Sequence, residues 1–202
     1  KTDHIDVIIH LASRMMLQKD TENLDVLYTN LKITEGLIEI VKITNAKKLI
    51  NLSSMAVYPD IDGNFSEGSQ TKVSLNRDCL YGLSKICAEN LIDFYLRGRN
   101  MVISHLRAAQ VYGEGMRGDR LVPVFKKELS EKNVITVYAE GRRTSNFIEV
   151  EELCSVIKLF LEKDMPGVFN LGGENLSYLK MAKKVIRESG DRNSRIIKVK
   201  KG

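Results

Sequence analysis

The sequence predicts an α/β protein: a parallel sheet with helices on both faces, joined to a smaller α+β lobe. Three observations point there. Nearly continuous apolar runs at 5–12 (IDVIIHLA), 48–53 (KLINLS) and 101–112 (MVISHLRAAQVY) have the composition of strands buried on both faces. Between them, segments 21–46 and 78–98 carry apolar residues at helical spacing. The resulting strand–helix–strand–helix–strand order is that of βαβ crossover units.

In order, 21–46 places Leu24, Leu27, Leu31, Leu37, Ile38 and Val41 on one stripe, with Thr21 as N-cap. The strand at 48–53 runs into Ser53-Ser54-Met55-Ala56-Val57-Tyr58-Pro59. Residues 60–76, rich in Asp, Asn, Gly and Ser, read as a loop. The helix at 78–98 turns Ile86, Leu91, Ile92 and Tyr95 toward the core, and Gly113 and Gly115 close the third strand. Beyond it, 122–132 is a helix. Short strands at 134–138 and 146–150 flank the turn-like Glu140-Gly141-Arg142-Arg143. A helix at 151–163, a strand at 167–171 and a helix from the N-cap Ser177 to Glu188, stopped at Gly190, follow. A strand at 195–200 ends the series. Residues 1–115 form the expected sheet domain and 116–202 a lobe interleaved with it.

Composition excludes several classes. With 43% apolar and 28% charged residues, the chain is that of an ordinary soluble domain. No apolar run approaches a membrane span, and the first ten residues lack the layout of a signal peptide, so a cytoplasmic location is expected. The net charge of +5 is scattered among acids, apart from the tail KVKKG, which argues against a nucleic-acid surface. Three cysteines and three histidines, with no CxxC or HExxH, predict reduced thiols and no metal site.

Tyr81 and Lys85 lie one helical turn apart on one face. A free phenol titrates near about 10, and a neighbouring ammonium lowers that value, so such a pair can do acid/base work near neutrality. Tyr28 and Lys32 have the same spacing, and spacing alone does not choose between the pairs. Ligands of parallel sheets bind outside the carboxyl ends of the strands, where Ser54 and Gln110 are expected.

Several stretches stand out in order: HLA at 10–12, Asn30 in YTNLKITEGLIE, SSMAVYP at 53–59 and YGLSK at 81–85. LRAAQVYGEG at 106–115, RTSNFIEVEEL at 143–153 and FNLGG at 169–173 complete the set. Together they resemble the extended short-chain dehydrogenase/reductase family, in its branch of NAD-dependent sugar-nucleotide epimerases and dehydratases. The resemblance implies a Rossmann-like sheet and selects Tyr81, which follows a serine-bearing strand end, over Tyr28. It implies that Tyr81 is the base toward a sugar hydroxyl. Lys85 would lower the Tyr81 pKa and hold the nicotinamide ribose. Ser54, with Ser53 as its neighbouring competitor, would hold the reacting oxygen. Ala12, Asn30 and Ser53 would flank the cofactor. Gln110 stands where the family has a substrate-binding asparagine, and Arg143 is the candidate for a substrate phosphate. Ser145 occupies the position at which relatives carry that arginine, and Arg142 is an equally exposed candidate.

Family dehydratases place Asp-Glu after the threonine of the serine segment; Met55 and Ala56 stand there instead and cannot move a proton. The implied activity is therefore that of an NAD-dependent nucleotide-sugar epimerase of the UDP-glucose 4-epimerase type. The alternatives are an NADP-dependent ketoreductase and a non-catalytic binding relative. A homodimer through helices 21–46 and 78–98 is implied as well. One departure is large: the family's glycine-rich G-x-x-G-x-x-G turn does not occur. The chain matches from the family's fourth strand onward, and a sheet beginning at IDVIIHLA presents an apolar edge, so omission or truncation of preceding strands is expected.

Overall fold

A computed structural model describes residues 5–17 and 23–200. Its elements are β1 (Val7–His10), α1 (Asp25–Thr44), β2 (Lys48–Ser54), a 3-10 turn (Met55–Val57), α2 (Cys79–Leu96), β3 (Val102–Ala108) and β4 (Gln110–Tyr112). Then come α3 (Leu121–Lys132), β5 (Val134–Val137), a second 3-10 turn (Ala139–Gly141), β6 (Thr144–Glu149) and α4 (Val150–Glu162). The last are β7 (Gly167–Leu171), β8 (Glu174–Ser177), α5 (Tyr178–Ser189) and β9 (Arg195–Lys198). They divide into two compact units, one of residues up to Ala108 with Cys154–Leu171, the other of Ala109–Leu153 with the residues from Gly172 onward.

The first unit is a four-stranded sheet in the order β1-β2-β3-β7, parallel throughout. Successive residues of β2 face opposite sides of the sheet, and each side has its own core. Leu49 packs with Leu37, Ile38 and Val41 of α1 and Ile92 and Leu96 of α2. Ile50 packs with Leu106, Phe160 and Phe169. Helices thus cover both faces, as a parallel sheet of apolar strands requires.

Lys48, the first residue of β2, is only 8% exposed. Its ammonium donates to the carbonyls of Phe160 (3.1 Å), Leu161 (3.0 Å) and Lys163 (3.1 Å) and pairs with Asp164 (2.9 Å). It closes the carboxyl end of α4, where the carbonyls lack helical partners and the dipole favours a cation. Lys48→Met is expected to cost about 2 kcal/mol of stability, the scale of charge-assisted hydrogen bonds, and urea unfolding measures it.

The second unit holds a three-stranded sheet in which β6 lies between parallel β4 and antiparallel β8, and a separate parallel pair, β5 with β9. Its core joins Val122, Phe125 and Leu129 of α3 to Ile135, Phe147, Leu176 and Met181. Ser177 caps α5, its hydroxyl accepting from the Lys180 amide at 3.2 Å.

The expected strand at 101–112 is two strands. Ala108 is the last position at which β3 has partners, Ser54 on one side and Leu171 on the other. Ala109 has no ladder on either side, and β4 restarts against β6, with Gln110 opposite Phe147. Strand β8 (ENLS) is short, polar and half exposed, and its sequence does not distinguish it from a loop. Helix α1 starts at Asp25 without a side-chain cap; Thr21 lies outside the described residues. Among the described residues no helix is long and apolar enough to cross a membrane.

Candidate active site

The carboxyl end of β2 anchors the site. Pleating sends Ser53 and Ser54 to opposite sides. The Ser54 hydroxyl accepts from the Ala56 amide at 3.1 Å and opens the 3-10 turn. Ser53 is buried and donates to Glu89 Oε1 at 2.5 Å.

Helix α2 lies against this turn at Gly82. A Cβ there would overlap the Ala56 carbonyl oxygen and come within 2.9 Å of Val73 Cγ1. Glycine is the residue that lets the first turn of α2, with Tyr81, approach the Ser54–Ala56 backbone. One turn on, Lys85 is 5% exposed, and its Nζ donates to the Leu52 carbonyl at 2.9 Å. The same Nζ stands 5.6 Å from the centroid of the Tyr81 ring. Burial pushes the Lys85 pKa down to about 8, with the Glu89 carboxylate acting in the opposite direction. The site therefore sets a fixed ammonium beside a phenol at the end of a parallel strand, an arrangement suited to holding a phenolate.

His10 closes β1 and is 8% exposed. Burial, and then the charge of Lys85, lower its pKa to about 4, so the ring is neutral at pH 7. The unfolded chain takes up a proton below about 6.5 that the folded ring refuses. Stability is accordingly expected to fall as pH drops from 6.5 toward about 4. His10→Gln should flatten that slope, as thermal unfolding at several pH values would show.

Asn30 on α1 is buried and joins three segments. Its Nδ2 donates to Ser84 Oγ (2.9 Å) and the Arg14 carbonyl (3.0 Å), and its Oδ1 accepts from the Arg14 amide (2.7 Å). The side chain is engaged in holding the backbone after β1 to α2, next to Lys85. Ala12, just past β1, is exposed.

The first unit thus brings together Ser54, Tyr81 and Lys85; Asn30 and Ser53 bond to the same helix, and His10 lies near enough to Lys85 to feel its charge. Gln110 and Arg143 belong to the second unit. Gln110 opens β4 and is partly exposed. Arg143 precedes β6, with its guanidinium 5.8 Å from the Tyr178 ring centroid. Arg142 pairs with Glu140 at 3.3 Å and is otherwise largely exposed.

A buried ionic network behind Ser53 was not anticipated. Arg107 of β3 forms a two-pronged pair with Glu89 of α2, Nε to Oε1 at 3.0 Å and Nη2 to Oε2 at 2.7 Å. Its Nη1 donates to Tyr58 Oη at 2.7 Å, and Tyr58 Oη lies 2.9 Å from Asn170 Oδ1 of β7. The signals were present: an arginine inside an otherwise apolar strand (LRAA), and a glutamate four residues after Lys85 on the inward face of α2.

Residues 1–172 match the family described as "NAD dependent epimerase/dehydratase family". The chain is 27% identical to a dTDP-D-glucose 4,6-dehydratase of Dictyostelium discoideum over 198 residues, covering 93% of this chain and 46% of the relative. It is 28% identical to a dTDP-4-dehydro-6-deoxyglucose reductase of Escherichia coli over 189 residues, covering 88% and 57%. The chain spans about half the length of the curated relatives it matches. Among solved structures, a UDP-glucuronic acid 4-epimerase from Bacillus cereus, in complex with UDP-glucuronic acid and NAD, is similar with a TM-score of 0.79 and 27% identity. That match covers 98% of this chain and 63% of the other.

Proposed function

Because the chain belongs to the NAD-dependent epimerase/dehydratase family, we propose that the protein is an NAD-dependent nucleotide-sugar epimerase working through a transient keto sugar. The observation that carries this reading is the seating of Lys85: a buried ammonium on the Leu52 carbonyl, beside Tyr81, at the strand end that presents Ser54.

The residues suit the nicotinamide-ribose end of NAD. Lys85 offers a cation able to hold a ribose hydroxyl, and Ala12 leaves the end of β1 clear of a bulky side chain. Asn30 and Ser53 support the wall through the bonds described above, rather than presenting unengaged donors. When bound, NAD accepts and returns hydride at the sugar carbon. Tyr81 removes the proton from the hydroxyl on that carbon and restores it after the keto sugar has turned over. Lys85 favours the phenolate that does so, and Ser54 Oγ keeps the reacting oxygen in line.

Epimerisation is preferred over dehydration because Met55 and Ala56 form the turn beside Tyr81 and neither transfers protons. Ketoreduction is the second reading, favoured by the similarity to the Escherichia coli reductase. Full-length protein incubated with UDP-, GDP- and dTDP-hexoses separates them: an epimer without added reductant supports the first reading. Reduction of a keto sugar only in the presence of NADPH supports the second.

A homodimer is part of the same proposal. Tyr28, Leu31, Ile38, Leu91 and Tyr95, together with the charged Lys32, Glu35, Glu39 and Lys42, line a groove of about 520 Å³ along α1 and α2. Tyr28 (55% exposed) and Tyr95 (53%) are large side chains left open there. A second copy covering this face accounts for them. Tyr95→Glu is expected to shift the full-length protein from dimer to monomer in light scattering; a monomeric wild type would refute the assignment. Cytoplasmic location is proposed with it, in keeping with Cys79, Cys87 and Cys154 all being free thiols.

A further inference from the structure

Glu89 stands one turn beyond Lys85 on α2, and both are about 5% exposed. The acid/base chemistry assigned to Tyr81, Lys85 and Ser54 does not itself call for a carboxylate at that depth. Burying one is costly unless donors replace water. Three donors do so: Arg107 Nε, Arg107 Nη2 and Ser53 Oγ. Ser53 sits between Leu52, whose carbonyl receives Lys85, and Ser54. Helix α2 is therefore tied to the end of β2 by two rungs one turn apart, Lys85 Nζ to Leu52 O and Ser53 Oγ to Glu89 Oε1.

We infer that Glu89 is a positioning residue for Lys85: its carboxylate, clamped by Arg107 and Ser53, ties α2 to the end of β2 one turn beyond Lys85 and so keeps the ammonium seated on the Leu52 carbonyl. The groups that face Lys85 are few. From β1 comes His10, neutral near pH 7; on α2 itself are Tyr81 and Glu89; Arg107 of β3 acts across Glu89 and is held on its far side by Tyr58. Burial alone drives Lys85 toward the neutral amine, and the Glu89 charge opposes it. Arg107 serves this arrangement by fixing the carboxylate without neutralising it through proton transfer, since a guanidinium keeps its proton. The consequence for turnover rests on the function proposed above; the consequence for Lys85 does not.

The test uses full-length protein with carbon-13 at the lysine ε positions, the Lys85 signal being assigned by Lys85→Arg. In the wild type Lys85 should titrate at about 8. Glu89→Gln should lower that midpoint by roughly one unit, the scale of a nearby opposite charge. Since Glu89→Gln strands a buried guanidinium, Glu89→Gln/Arg107→Met is measured beside it. That double variant contains neither charge, is expected to fold, and should show a smaller downward shift, because losing the more distant Arg107 charge partly offsets losing the carboxylate. An unmoved Lys85 midpoint in either folded variant overturns the inference, leaving Glu89 a merely structural residue. In turnover, the alkaline loss of activity should move to lower pH by the same amount. A shifted Lys85 in protein that never turns over a nucleotide sugar supports the inference and counts against the proposed function.

Discussion

Tyr81→Phe in the full-length protein is expected to lower turnover by roughly 10²–10⁴-fold, the usual contribution of a positioned acid/base group. The substitution removes one oxygen and keeps the ring over which Lys85 Nζ stands at 5.6 Å. Gly82 still admits α2 to the Ala56 carbonyl, and Lys85 still has the Leu52 oxygen. Fold and NAD content should therefore match those of the wild type, and the Michaelis constant should change little. A loss confined to kcat is the signature of an interaction made in the transition state. Steady-state kinetics with the epimerised nucleotide sugar, together with the NAD retained on purification, checks both halves. Undiminished turnover would remove Tyr81 from the chemistry.

Arg107→Met carries the largest expected effect on stability, a loss of about 3–5 kcal/mol. The methionine fills similar space but leaves the buried Glu89 with Ser53 as its remaining hydrogen-bond partner and deprives Tyr58 Oη of its donor. An uncompensated buried charge costs more than the ion pair contributes, so the partner matters more than the pair. Adding Glu89→Gln should recover a substantial part of the loss, because the double variant carries no stranded charge. Urea unfolding of the single and double variants measures this coupling. Equal stability of wild type and Arg107→Met would mean that Glu89 finds its compensation elsewhere.

The sheet was legible because its strands are buried on both faces and leave unbroken apolar runs, while α1 and α2 separate them at helical spacing. What escaped was set by register rather than local composition. The break at Ala109 follows from where β2 and β7 stop, which a reading of 101–112 alone does not contain. The polar strand β8 exists because β6 offers it an edge. In the site, the four-residue spacing of Tyr81 and Lys85 was visible but shared with Tyr28 and Lys32; motif order favoured the former. The structure adds a physical distinction, since Lys85 is buried on the Leu52 carbonyl whereas Tyr28 is 55% exposed. Ser53 and Asn30, expected beside the cofactor, have side chains engaged with Glu89, Ser84 and Arg14, a commitment that only tertiary contacts reveal. Gly82 stood in the YGLSK stretch throughout; its role appears only once the Ala56 carbonyl is seen against it.

The most direct test of hydride-coupled epimerisation is the fate of a label. Full-length protein is given a nucleotide hexose deuterated at the carbon whose configuration inverts, and the product is analysed by NMR and mass spectrometry. Tyr81 taking only the hydroxyl proton, with hydride leaving and returning on the cofactor, requires an epimer that retains the deuterium at the same carbon and gains none from solvent. A dehydrated keto-deoxy sugar, or an epimer whose label has exchanged with water, would contradict the assignment of Tyr81, Lys85 and Ser54 to a nucleotide-sugar epimerase.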